Sequence, residues 1–244
     1  MSLKDDIIKK AKEIESSTFT KETVYSIPTI EDSRLTFGCK GLEFESTVLY
    51  IDMRGSTKVL NKHQKRVVAK IHMIYYNTIV RIAKATGGEI RSFNGDSLLV
   101  FYIGNTKESL SNAVKAAMKM RYAITNLVND KLSNYTDIDF GIGIDHGVIL
   151  AVKVGVGGDE TTKDLIWIGN AVNKATKISD SCKAVYYIGI SNLVYENLLD
   201  SVHYGIKRDV FGYENKVDMW TRSSIIYNDK SEITYKTSWY WEVD

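Results

Sequence analysis

Two aspartates stand beside apolar strands in places where they could do chemistry. Asp52 lies at the end of TVLYIDM, residues 47–53, and Asp96 sits in the turn of EIRSFNGDSLLVFY, residues 89–102. Each alone has an ordinary explanation, since Asp caps helices and forms turns. Together they are harder to dismiss, because both abut strands in which an unpaired carboxylate is costly. Two carboxylates plus backbone oxygens suit Mg²⁺ or Mn²⁺ when a nucleoside triphosphate supplies the remaining ligands. The turn after Asp52, Arg54-Gly55-Ser56-Thr57, leads into a helix, and N–H groups at a helix start favour phosphate. The combination fits two-metal phosphoryl chemistry.

The elements around these residues must bring them together. After the first strand, a long amphipathic helix is expected to bury Val67, Ile71, Ile74, Thr78 and Ile82, and Gly87 and Gly88 end it. The hairpin around Asn94-Gly95-Asp96 follows. A second helix, about 107–130, is expected to bury Ala113, Ala117, Met120, Ile124 and Leu127. Strand segments 138–147, 148–155 and 164–169 come next, then a helix from 170, the strand AVYYIGIS and the helix SNLVYENLL. The order β-α-β-β-α-β predicts an α+β fold with a ferredoxin-like, palm-type sheet and helices on one face. In such a sheet the first strand and the hairpin are neighbours, so Asp52 and Asp96 emerge at one edge. Residues 1–45 read as an N-terminal helix and linker, 46–203 as the main domain, and 204–244 as an aromatic, strand-rich extension packed on that domain.

The bulk numbers exclude several partners. The 244 residues carry a formal net charge of +2 with acidic and basic residues mixed, so no basic tail points to nucleic acid or membrane. Cys39 and Cys182 have no metal spacing around them and fit a reducing cytoplasm. No signal-peptide core and no apolar run of membrane-spanning length occurs.

Four motifs in order give the chain a resemblance. YIDMRGST, GGEIRSFNGD, GIDHG and WIGNAVNKATK are similar, over about residues 46–200, to the signatures of class III nucleotidyl cyclases. The resemblance implies a mechanism. Asp52 and Asp96, helped by the Met53 carbonyl, would hold two divalent ions, Mn²⁺ or Mg²⁺. One ion would acidify the ribose 3′-OH and the other grip the triphosphate, and the 3′-oxygen would attack the α-phosphate in line. Asn173 would orient the ribose, and position 177 would stabilise charge on the α-phosphate. That position is usually Arg in the family and is Lys177 here, which keeps the charge but loses the bidentate fork. The resemblance further implies a head-to-tail homodimer with two shared sites.

The base pocket departs from both purine patterns. Where adenylate cyclases place Lys and Asp or Thr, and guanylate cyclases a Glu, this chain has Ser92 and Ile166. Arg91, one position earlier, carries donors only and suits the acceptor edge of uracil or cytosine. Tyr50 shares a strand face with Asp52 and can narrow the pocket. In this the chain resembles the pyrimidine cyclases of Pycsar antiphage systems, which make cyclic UMP or cyclic CMP for a separate effector. Adjacent strand residues face opposite sides, so Arg91 and Ser92 can line one pocket only if the strand bulges. GGDET at 157–161 looks like a diguanylate cyclase signature but falls in the wrong place in the element order, and reads as a turn. His146 reads as structural, and His63 and His72 as surface.

Overall fold

The computed structural model describes residues 2–157 and 161–243. The elements are α1 (Leu3–Ser16), β1 (Thr20–Thr23), β2 (Lys40–Arg54), α2 (Ser56–Lys62), α3 (Lys65–Ala85), β3 (Glu89–Asn94), β4 (Ser97–Ile103), α4 (Lys107–Tyr122), α5 (Asn129–Leu132), β5 (Asp139–Gly155), β6 (Lys163–Ile168), α6 (Asn170–Ser181), β7 (Ile188–Ser191), α7 (Asn192–Glu196), α8 (Asp200–His203), β8 (Tyr204–Arg208), β9 (Glu214–Asp218), β10 (Thr221–Tyr227) and β11 (Lys230–Thr237). The main sheet has the order β10-β11-β7-β5-β2-β4-β3, with β1 beside β2 and β6 beside β5. Its β5-β2-β4-β3 part is the expected ferredoxin-like arrangement. Strands β10 and β11 extend the sheet beyond β7, while β8 and β9 form a separate pair.

Helices cover both faces, not one. The near-continuous apolar run of β2 already reads as a strand buried on two sides. Leu49, Ile51 and Met53 join Ile142 and Ile144 in the core under α3 and α4. Phe44 and Val48 join Phe101, Ile149 and Ala151 in a second core, which Ala171 and Ala175 of α6 close from the opposite side. Phe101 and Trp167 rings lie 4.9 Å apart and Phe44 and Phe101 5.6 Å apart in this second core. Such contacts contribute roughly 0.5–1.5 kcal/mol each beyond burial alone.

The first long helix differs in phase from the expectation, while the second buries Ala113, Ala117, Met120 and Ile124 as expected and departs only at Leu127. The helix after RGST is broken at His63–Gln64 into α2 and α3. The buried stripe of α3 is Val68, Ile71, Tyr75, Ile79 and Ile82, while Ile74 is exposed and Thr78 and Val67 are only partly covered. The wholly buried Tyr75 ring sets that phase. After α4, residues Ala123–Val128 form a π-helical segment, whose wider turn brings Val128 inward and leaves Leu127 exposed. The two predicted strand segments 138–147 and 148–155 are one strand, β5, and only Ile188–Ser191 of AVYYIGIS is extended in the sheet. The stretch read as linker is packed: β1 pairs parallel with β2, and Val24, Ile27 and Leu35 are buried. Most of the GGDET turn, residues 158–160, lies outside the described residues. Among the described residues no helix is long and apolar enough to cross a membrane.

Candidate active site

The alternation of β2 sends Val48, Tyr50 and Asp52 to the α6 face of the sheet. Asp52 stands opposite Ser97 on β4 and Gly141 on β5. Asp96 occupies the two-residue turn between Asn94 and Ser97, where Gly95 takes φ 64°. Ser97 Oγ donates to the Asn94 carbonyl at 2.9 Å, Met53 N–H donates to the Asp96 carbonyl at 3.4 Å, and the Tyr76 hydroxyl donates to the Gly95 carbonyl. These bonds pin the turn against the end of β2.

The two carboxylates meet. Burial pushes the Asp52 carboxyl up to about 6, and the negative charge of Asp96 and a side-chain hydrogen bond with it add to the rise. Asp180, at the end of α6, raises it further, and Arg54 opposes the rise. A half-buried carboxyl raised by burial and by a second acid beside it is a site short of positive charge. The donor set, two carboxylates with main-chain carbonyls beside them, fits divalent ions whose other ligands come from a phosphate-bearing substrate. Among the described residues no group of three or more His, Cys, Asp or Glu is placed to hold a metal ion.

Gly55 adopts φ 67° and opens α2, so the first-turn N–H groups of Ser56 and Thr57 have no preceding carbonyl within the helix to bond. A cleft of about 310 Å³ lies beside this turn, lined by Arg54, Gly55, Lys58, Lys62, Asp137 and Asp139 among others. Arg54 is committed elsewhere as well: its Nη2 donates to the carbonyls of Ser179 at 2.7 Å and Asp180 at 3.2 Å.

Helix α6 lies directly on the sheet because β5 is glycine-rich there. A Cβ on Gly143 would fall 1.9 Å from the Ala175 carbonyl oxygen, and one on Gly141 would fall 2.5 Å from that of Ser179. Ala171, Ala175 and Ile178 face inward. Asn173 and Lys177, one turn apart, are exposed on the outer face of the helix. Among the described residues neither forms a hydrogen bond or ion pair with Asp52 or Asp96 of the same chain.

On the base side, β3 bulges between Ile90 and Ser92, the irregularity that the sequence required for Arg91 and Ser92 to share a face. Ser92 pairs with Leu99, which pairs in turn with Tyr50. Burial raises the pKa of the half-buried Tyr50, and a hydrogen bond with Ser97 opposes that. Ile166 does not join this group. It pairs with Val152, is exposed, and lies on the face opposite its neighbour Trp167, which packs with Phe101 on the Tyr50 side. Arg91 Nε donates to the Pro28 carbonyl at 3.0 Å, and its Nη2 donates to that of Ile27 at 3.2 Å and to the Glu89 carboxylate.

Residues 43–223 match the adenylate and guanylate cyclase catalytic domain family. The chain belongs to that family. Two relatives named uridylate cyclases, from Xanthomonas perforans and Burkholderia cepacia, are each 29% identical and cover 100% of this chain and of their own length. The crystal structure of the adenylyl cyclase CyaB from P. aeruginosa superposes with a TM-score of 0.64 over 81% of this chain and 95% of that one, at 22% identity. The protein is therefore a class III nucleotidyl cyclase. Sequence reasoning missed two residues that stand beside the Asp52–Asp96 pair. Asp180 belongs to no motif and reaches Asp52 only through the docking of α6, and Tyr76 reaches the Asp96 turn only through the true phase of α3. His146 is structural, as expected: Nδ1 lies 3.0 Å from Thr47 Oγ1 and Nε2 lies 3.3 Å from Glu45 Oε1.

Proposed function

We propose that this cyclase converts a pyrimidine nucleoside triphosphate, UTP before CTP, to the 3′,5′-cyclic nucleotide and pyrophosphate. The observation that carries the chemistry is the meeting of Asp52 and Asp96 at the end of β2. Mn²⁺ or Mg²⁺ held there, by both carboxylates and the Met53 carbonyl, would neutralise triphosphate charge and acidify the ribose hydroxyl. The turn Gly55-Ser56-Thr57 directs main-chain N–H groups to the phosphates. Asn173 and Lys177 face outward, so they serve the site of a second copy in a head-to-tail homodimer: Asn173 orients the ribose, and Lys177 balances charge on the α-phosphate. The pyrimidine preference is supported by the full-length similarity to uridylate cyclases, by Ser92 and Ile166 holding positions where neither purine pattern is met, and by Tyr50 standing level with Ser92 through Leu99. By its resemblance to the pyrimidine cyclases of Pycsar antiphage systems, the product would be a second messenger of cytoplasmic antiphage defence, read by a separate effector.

Purified protein given each of the four nucleoside triphosphates with Mn²⁺, its products separated by chromatography, tests this. Cyclic UMP is expected as the main product. Cyclic AMP or cyclic GMP in its place would end the pyrimidine assignment, and product from an Asp52→Ala protein would end the mechanism.

A further inference from the structure

Residues 24–35 form a strap across the sheet face that carries Tyr50 and Ser92. Val24, Ile27 and Leu35 are 4%, 4% and 2% exposed. They share one apolar cluster with Val48, Leu99 and Phe101, and Tyr50 packs against that cluster. The strap has three anchors. Val24 N–H donates to the Glu43 carbonyl of β2 at 2.8 Å. The guanidinium of Arg91, on β3, holds the carbonyls of Ile27 and Pro28. Glu31 pairs with Lys163 of β6 at 3.2 Å. Strands β2, β3 and β6 span the sheet, so the strap crosses it.

The register places the strap beside the base site. The bulge at Arg91 is followed at once by Ser92, which stands level with Leu99 and Tyr50. Arg91 also donates to its neighbour's Ile90 carbonyl and pairs with Glu89, and its side chain is 17% exposed. With four of its five N–H donors committed, three to main-chain carbonyls and one to Glu89, the guanidinium fixes a wall rather than reading a base edge. The strap lies outside residues 43–223, the part of the chain that matches the family's catalytic domain.

We infer that the strap, fastened by Arg91, is the wall that sets the size of the base pocket and excludes purines. This rests on the pyrimidine cyclase assignment. Selection by size separates UTP and CTP weakly from one another and strongly from the two-ring bases.

The test compares Arg91→Gln with the strap variant Ile27→Ala/Pro28→Gly. kcat/KM is measured for UTP, CTP, ATP and GTP, together with the dissociation constants of UTP and ATP. Both variants are expected to raise the ATP-to-UTP ratio of kcat/KM about tenfold or more, with tighter ATP binding and an unchanged Mn²⁺ requirement. A ratio that moves in Arg91→Gln and not in the strap variant overturns the inference, because Arg91 then meets the base itself. A ratio that moves in neither also overturns it. If the strap variant lacks a cooperative melting transition, Glu31→Ala/Lys163→Ala, which loosens the far anchor without opening the core, must give the same shift. The wild-type product separates the two ideas: cyclic UMP with an unmoved ratio removes the strap alone, whereas cyclic AMP removes the pyrimidine assignment and the purine wall with it.

Discussion

Arg54 donates from Nη2 to the carbonyl of Ser179 at 2.7 Å, which ties the end of the strand that carries Asp52 to the end of α6. One chain thereby couples its own aspartates to the helix that carries Asn173 and Lys177. Gly141 makes room for the tie, since a Cβ there would lie 2.7 Å from Arg54 Nη2. Arg54→Gln should lose a charge-assisted bond and about 1–3 kcal/mol of stability. It should also lower kcat more than it raises KM, because substrate contacts survive while α6 loses its fixed position. Melting curves and steady-state kinetics check both, and an unchanged kcat would dismiss the coupling.

Asp52 and Asp96 repel each other without a cation. The carboxyl of Asp52 is raised from 3.8 to about 6, so its charge costs stability above about pH 6 and ceases to cost below about pH 4. The metal-free protein should gain stability relative to Asp52→Asn as pH falls from 7 towards 5. At pH 7.5 in chelator, Asp52→Asn should be the more stable by about 1 kcal/mol, after discounting for solvent screening at a half-exposed group. Mn²⁺ should raise the melting temperature of the wild type and leave the variant unmoved. Parallel melting curves across pH and metal would show that neither burial nor Asp96 raises the Asp52 carboxyl.

Gly143 is the point of closest approach between β5 and α6. Its Cβ would sit 1.9 Å from a main-chain oxygen of α6, which cannot move alone. Gly143→Ala should displace the helix, cost roughly 2 kcal/mol or more, and abolish activity. Gly95→Ala, with open space around it, should cost only the strain of its φ of 64°, about 1 kcal/mol. Expression yield and melting temperature rank the two.

Cys182 is buried against Ile142 and Ile178, and burial pushes its thiol up to about 11. The thiolate is the reactive form. At pH 8 a thiol reagent should modify the partly exposed Cys39 and spare Cys182 until the protein is unfolded, which peptide mapping would show.

What the sequence made legible follows from how local each signal is. The hairpin with Asp96 was readable because Asn-Gly-Asp encodes its own turn, whereas the bulge at Arg91 was only a condition for Arg91 and Ser92 to line one pocket and was not itself expected. The ferredoxin-like order followed from the alternation of element types. The phase of α3 was not readable, because Ile71, Ile74, Thr78 and Ile82 and the true stripe through Tyr75 and Ile79 are both apolar enough. Only the packed Tyr75 ring chooses between them. Nor was the role of residues 24–35 readable, since their three anchors lie on distant strands. Ile166 was misplaced for a different reason: it holds the family's motif position, but strand alternation turns it away from Tyr50.

The outward placement of Asn173 and Lys177 carries the last prediction. Both stand on the exposed face of α6, while Asp52 lies against its inner end beside Asp180. In the proposed head-to-tail homodimer a single chain would keep the two halves of its chemistry apart, and a second copy would complete each site. Asp52→Ala and Asn173→Ala proteins should each be nearly inactive alone. After mixing and subunit exchange, half of the dimers combine one of each, and one of their two sites is intact. Activity should return to about a quarter of the wild-type value. Mixtures that stay inactive at every ratio, with exchange verified by differently tagged subunits, would mean that each site is built within one chain.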